Sequence, residues 1–197
     1  MAKKTVKSGK SIVKKPALAP GSNLKPLVFA ALFAALTAAV APLKIPLGFT
    51  PVPITLQTLV VLMSGAMLGP YYGALAMILY VVVGILGLPV FAGGGSGIGA
   101  VLGPTGGYLI SYFIAAYAIG KIVQMKKKPA FFDYVVAMVA GTIIIYVLGA
   151  GWGMVVTGLG IAAILAGWVF PFIIGDTIKL LAAAYIAKKV DLKKYLR

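Results

Sequence analysis

Between Ile45 and Gly120 the chain runs for 76 residues without one charged side chain, and between Tyr134 and Gly175 for another 42. A soluble domain carries about 25% charged residues, and no water-facing surface can be assembled from such stretches. The solvent these segments are built for is therefore a bilayer, where the backbone must satisfy itself as helices or closed barrels. Charged residues make up 11% of the 197 positions and hydrophobic ones 61%.

The same composition removes several kinds of chemistry. The sequence has no cysteine, no histidine and three acidic residues, none of them glutamate. Disulfides, Cys/His zinc sites and a histidine-based triad are excluded, and a carboxylate cage for a hard metal is improbable. The segment "FAGGGSGIGA" (Phe91 to Ala100) is glycine-rich, but no G-x-x-x-x-G-K follows it and no βαβ unit surrounds it. It is not a phosphate loop. No enzyme and no cofactor are expected.

Net charge is +15, and residues 1–25 hold seven lysines without an acid. Such a balance can mark nucleic-acid binding. Membrane topology accounts for it better, since Lys and Arg accumulate in cytoplasmic loops. Residues 1–25 are read as a disordered polybasic cytoplasmic tail in contact with anionic lipid, with no nucleic acid as partner. They lack the apolar core of a signal peptide.

Apolar runs predict helices at about 26–43, 54–68, 71–86, 106–124, 131–148 and 170–190, with a tight turn at "GPYYG" (Gly69 to Gly73). "GAGWG" reads as a helix break, and 154–167 as a half-length interfacial helix. The expected fold class is an all-α integral membrane protein: six transmembrane helices, irregular outer loops and a short interfacial helix before helix 6. The six-helix core covers 26–190, and 191–197 form a basic cytoplasmic C-terminus. With six spans, only Lys44 and Lys179 of the 18 basic residues fall away from the cytoplasmic side, which puts both termini in the cytoplasm of a multi-pass cell-membrane protein.

Three irregular segments, 44–55, 87–105 and 149–168, uncharged apart from Lys44, then share the outer face. Plain connectors would be short and polar. Apolar irregular backbone is tolerated near lipid where it lines a cavity. Under it, in the last helix, stands "FIIGDTIKL". Asp176 and Lys179 are three residues apart and share a helix face. At about 1.5 Å per residue from Phe170, Asp176 lies roughly 9 Å below the outer surface. Each charge costs about 2.5–3.5 kcal/mol to place mid-helix. The pair is either a structural ion pair or a ligand site, and the two roles are compatible. A carboxylate takes N–H donors and an ammonium takes an anion or carbonyl oxygen. A small ligand with both kinds of group, held between apolar walls, fits that chemistry. Tyr108, Tyr112, Phe49, Phe91 and Trp168 are available as walls, and backbone at Gly95 and Ser96 for close contact. The small-residue stripes Ala30/Ala34/Ala38 and Ala31/Ala35/Ala39 suit close helix packing, inside the molecule or against another subunit.

Four stretches in this order, "TPVPITLQTLVVLMSGAMLG" (Thr50 to Gly69), "GLPVFAGG" (Gly87 to Gly94), "LGPTGGYL" (Leu102 to Leu109) and "GDTIK" (Gly175 to Lys179), resemble the BioY family over residues 26–190. These are biotin-specific S-components of energy-coupling-factor (ECF) transporters. The resemblance implies the six-helix S-component fold, an outward-facing biotin site with a lid from the first outer loop, and partners: a transmembrane coupling subunit and two ATPase subunits. It implies biotin contacts at Asp176 and Lys179 and docking of the coupling subunit at Ala30 and Ala34. Ile174 stands where the family more often has proline. For the ligand carboxylate the available cations are Lys179 and Lys44, with Lys179 favoured for its depth. The rival readings are a stand-alone proton-coupled carrier and a structural subunit of a membrane complex.

Overall fold

The computed structural model describes residues 24–190 and Leu192. Nearly all of the expected polybasic tail, and the C-terminus apart from Leu192, lie outside the described residues. Helix α1 (Leu24–Val40) leads into two short strands, β1 (Lys44–Leu47) and β2 (Thr50–Thr55). Next come α2 (Gln57–Ile85), the one-turn α3 (Ile98–Leu102), α4 (Gly106–Gln124), α5 (Phe131–Thr157), α6 (Ile161–Ile164) and α7 (Ile173–Lys189). Among the described residues, four stretches are long and apolar enough to cross a membrane: Gln57–Ile85, Gly106–Gln124, Phe131–Thr157 and the helical run Ile161–Lys189. α1 is apolar but shorter.

α2 is not one rod. Gly69 sits at φ 81°, ψ −177°, outside any helix, and is followed by Pro70, which has no N–H to offer the preceding turn. The two arms, 57–68 and 70–85, fold back on each other there. A Cβ built on Gly73 would stand 2.8 Å from the Gly65 Cα, and Gln57 reaches the Tyr80 hydroxyl. In a straight helix, Gln57 and Tyr80 would be about 34 Å apart. The expected turn at "GPYYG" is thus present. Gly69 occupies backbone space that only glycine enters without strain, and a Cβ there would also meet Gln124 at 2.5 Å. Gly69→Ala is expected to cost about 1–3 kcal/mol, read as a lower melting temperature in detergent with the ligand site intact.

Two expectations are corrected. The proline-rich segment is a β-hairpin, not irregular loop, with Lys44 opposite Thr55, Ile45 opposite Ile54 and Leu47 opposite Thr50. Two-stranded pairing tolerates Pro46, Pro51 and Pro53 because an isolated hairpin has free edges, where a missing N–H leaves no ladder partner. The fold is therefore mostly, not wholly, helical. "GAGWG" does not break a helix, and the expected half-length helix over 154–167 is divided between the end of α5 and the start of the helical run from Ile161. α5 continues through it to Thr157 and ends at Gly158, whose φ of 69° closes the helix with its N–H on the Met154 carbonyl. From Ile161 the chain runs helically to Lys189, through a π-helical turn (Leu165–Val169) and a 3₁₀ turn (Phe170–Phe172) around Pro171.

The glycines that suggested a break serve packing instead. A Cβ on Gly149 would lie 2.5 Å from the Tyr108 ring, and one on Gly153 would enter the Trp168 ring. Four residues apart, they form a flat seat on one face of α5 for two stacked aromatics. The Tyr108 and Trp168 rings lie 6.5 Å apart at 23°.

The core runs along the facing sides of α2, α4 and α5, with Ala30, Phe33 and Ala34 of α1 and Leu180, Ala183 and Ala184 of α7 packed onto it. The hairpin, the 87–105 loop and the α5–α7 connection gather at one end. Gly69, Gly120 and Gln124 meet at the other, where Pro70 backs onto Gly120.

Candidate functional site

At the end carrying the hairpin and the glycine-rich loop, a cavity of about 140 Å³ opens between the helices. By that measure it holds roughly ten waters' worth of space, enough for a small organic molecule. Val52, Pro53 and Thr55 of β2 close one side, and Phe91, Ala92 and Gly95 of the loop another. Tyr108, Leu109, Tyr112, Ile145 and Phe172 supply apolar wall, and Asp176 and Lys179 the charged part.

α7 positions the pair. Leu180, Ala183, Ala184 and Ala187 on α7 are buried in the core, and Asp176 and Lys179 share that face one turn earlier. Asp176 is buried at 6% exposure. Its Oδ1 accepts from Lys179 Nζ at 2.8 Å and from Thr58 Oγ1 at 3.1 Å. Its Oδ2 accepts from the Tyr146 hydroxyl at 2.7 Å. Three donors from α2, α5 and α7 thus fill three of roughly four acceptor positions on the carboxylate, leaving capacity for one donor more. The pair is both an ion pair and a cavity surface. A buried pair held by further hydrogen bonds is tolerable where a lone charge is not.

The walls are built by deeper contacts. The Tyr108 hydroxyl donates to the Trp168 carbonyl at 2.7 Å, so Trp168 does not line the cavity but backs the residue that does. The Trp152 indole N–H donates to the Gly103 carbonyl at 2.9 Å, tying α5 to the turn before α4. Phe91 lies edge-on to Tyr80 at 5.6 Å, and its ring fills the space that a side chain at Gly84 would take.

Of the residues singled out by sequence, Asp176, Lys179, Tyr108, Phe91 and Gly95 meet in this cavity, together with Tyr112. Ser96 is exposed and does not line it. Phe49 is 70% exposed at the tip of the hairpin, outside the cavity. Lys44 lies against Gly93 of the loop that covers the cavity, with its side chain exposed. Ala30 and Ala34 are buried, at 0% and 8% exposure, against the rest of the chain. Their stripe is taken up by internal packing, α1 lying against α2. On α1 the outward-facing small residues are Ala31, Ala35 and Ala39.

Sequence reasoning passed over Gln57, Thr58 and Tyr146. Gln57 carried a signal: it is the sole carboxamide between Ile45 and Gly120. Thr58 and Tyr146 carried little, since they reach Asp176 across 118 and 30 positions of chain.

The BioY family model matches residues 10–194. The chain belongs to the BioY family. The biotin transporter BioY of Thermotoga maritima is 41% identical over 178 residues, covering 87% of this chain and all of that protein. The probable biotin transporter BioY of Pyrococcus horikoshii is 38% identical over 167 residues, 85% of this chain and 96% of the relative. Among solved structures, the S-component for biotin from an ECF-type ABC transporter, a crystal structure at 2.1 Å, superposes with a TM-score of 0.81 at 29% identity, over 92% of this chain and all of the other. In this BioY chain the cavity, the buried Asp176–Lys179 pair and the loops around them are thus features of a transporter-family fold.

Proposed function

We propose that this BioY chain is the substrate-binding membrane subunit of a biotin uptake system. It takes biotin from the outer face and depends on partner ATPases for transport. The observation that carries the reading is the buried Asp176–Lys179 pair at the wall of an otherwise apolar, aromatic cavity. Biotin presents the matching groups: a ureido ring with two N–H donors and a carbonyl acceptor, an apolar fused bicycle, and a carboxylate on a flexible chain. The ureido N–H fits the remaining acceptor position of Asp176, and its carbonyl oxygen fits Lys179 Nζ. Both charges are then used at one end of the ligand.

That arrangement changes the assignment of the cations. Lys179 stands 2.8 Å from Asp176, so it serves the ureido end. The carboxylate lies a full side chain away, toward the loop, where Lys44 rests against Gly93. Lys179, favoured by depth alone, is therefore the less suited of the two for the carboxylate. Lys44 also joins the hairpin to the loop, and the hairpin with Phe49 at its tip is the lid in this reading.

The topology that goes with it has six crossings: α1, the two arms of α2, α4, α5 and the Ile161–Lys189 run. Both termini are cytoplasmic, and the polybasic tail lies on anionic lipid. A transmembrane coupling subunit and two ATPase subunits complete the complex. With Ala30 and Ala34 covered, the coupling subunit meets the Ala31/Ala35/Ala39 side of α1. The chain does no catalysis of its own.

Titration of the purified, ligand-free protein with biotin and with biotin methyl ester tests the site. Biotin is expected to bind at a single site. Lys179→Gln is expected to weaken both ligands, by roughly tenfold or more each. Lys44→Gln is expected to weaken biotin alone. Absence of biotin binding by the wild-type protein refutes the function, and a Lys44→Gln effect equal for acid and ester refutes the carboxylate assignment.

A further inference from the structure

Gln57 lines the cavity and is 2% exposed. Its Nε2 donates to the Tyr80 hydroxyl oxygen at 2.5 Å, and the same hydroxyl donates its one proton to the Val90 carbonyl at 3.1 Å. The direction of this relay follows from the bond to Val90. Tyr80 has no second proton, so toward Gln57 it can only accept. A flipped amide would set its carbonyl oxygen against a hydroxyl oxygen with nothing to share. The carboxamide is therefore held with Nε2 toward Tyr80 and Oε1 away from it.

That Oε1 accepts no hydrogen bond from any described residue, yet every buried side-chain nitrogen and oxygen among the described residues has a partner. The two facts agree if Oε1 is open to the cavity that Gln57 lines. Gln57 cannot turn it toward bulk solvent, because the residue is otherwise enclosed. The site thus holds a neutral acceptor of fixed polarity, on β2's side of the cavity, in addition to the carboxylate of Asp176.

We infer that Tyr80 is a positioning residue that locks Gln57 as an acceptor and so makes the cavity selective for a ligand N–H at that point. The lock is joined to the cavity's cover. Val90 precedes Phe91 in the glycine-rich loop, the Phe91 ring packs edge-on to Tyr80, and the Gly97 N–H bonds the Gly84 carbonyl at 2.7 Å. The polarity of the acceptor is therefore set only while the loop is seated. An N–H presented to Gln57 is rewarded by a full hydrogen bond. An isosteric oxygen presented there meets another oxygen, and desolvation of both is uncompensated. The inference rests on the biotin reading for the identity of the N–H group, which is one of the two in the ureido ring.

The experiment compares biotin with its two isosteric carbamate analogues, in which one or the other ureido N–H is replaced by oxygen. Affinities are measured on the purified full chain and on Tyr80→Phe, Gln57→Ala and the double variant. Wild type is expected to reject both analogues, one for the oxygen it sets against Asp176 and the other for the oxygen it sets against Gln57, the latter by on the order of 10- to 100-fold relative to biotin. Tyr80→Phe keeps the ring and its contact with Phe91 but frees the amide to turn its NH₂ to an oxygen. It is expected to bring that ratio down by about tenfold or more. Gln57→Ala should do the same, and Tyr80→Phe should add nothing in the Gln57→Ala background. If Tyr80→Phe weakens biotin and both analogues by one common factor, the residue is structural and the inference fails. If Gln57→Ala retains the wild-type ratio, it also fails. Absence of biotin binding by the wild type would instead overturn the biotin reading itself.

Discussion

Asp176→Asn lowers biotin affinity by about 100-fold or more and lowers the melting temperature as well. The substitution keeps the shape and removes the charge. Lys179, whose side chain is 12% exposed, loses the carboxylate 2.8 Å away. Removing one partner of such a pair costs about 3–5 kcal/mol, because the other charge stays buried without compensation. The asparagine also brings an NH₂ to a place where Tyr146, Thr58 and Lys179 all donate. With its oxygen kept toward Lys179 and Thr58, its NH₂ faces the Tyr146 hydroxyl, which must turn from donor to acceptor. The ligand loses a charge-assisted acceptor, worth about 1.5–3 kcal/mol by itself. The double variant Asp176→Asn/Lys179→Gln separates the two roles. With both charges gone, stability is expected to return toward wild type while binding does not. Isothermal titration and a thermal-shift assay on the three proteins make the comparison. Unchanged affinity in the single variant would reduce the pair to a structural ion pair.

The second large effect is expected at a position with no polar atom in its side chain. Gly149→Leu places a side chain where the Tyr108 ring lies, with the first added carbon already 2.5 Å from it. Overpacking of a well-filled interior costs about 1–3 kcal/mol. Here the neighbour that must yield is a cavity wall. Tyr108 is held by its hydroxyl on the Trp168 carbonyl, so its ring can move only into the cavity or by breaking that bond. Biotin affinity is expected to fall about tenfold or more, together with stability. Gly151→Leu, two residues along the same helix, is the control. A Cβ there meets nothing within 4 Å, and both properties should stay near wild type. Equal behaviour of the two variants would mean that the glycines of "GAGWG" matter for backbone freedom and not for seating the aromatics.

These two positions also show how far the sequence could be read. Asp176 and Lys179 were legible because charge inside an apolar run is costly and their spacing puts them on one helix face. The turn at Gly69 was legible because Gly-Pro cannot continue a helix unaided. The glycines of α5 were misread for a physical reason. Glycine marks helix breaks and helix contacts alike, and only the ring lying over it tells which. The hairpin was hidden in the same way: prolines exclude a regular helix, but whether the remaining N–H groups pair depends on the partner strand. Ala30 and Ala34 were recognisable as a close-packing stripe, while the helix they pack against was not.

Sequence by itself determined that this chain is built for a membrane and that one acid–base pair must be sheltered among apolar helices. Those are local properties: composition, hydropathy and spacing along a single helix decide them without reference to the rest of the chain. Only the tertiary structure decided what shelters the pair. Thr58 and Tyr146 reach Asp176 from α2 and α5, Gln57 is turned by Tyr80, and Lys44 is carried onto the loop by the hairpin. Each of these contacts joins residues far apart in the chain, and hydrogen-bond direction and shape are properties of the assembled pair, which neither residue carries alone.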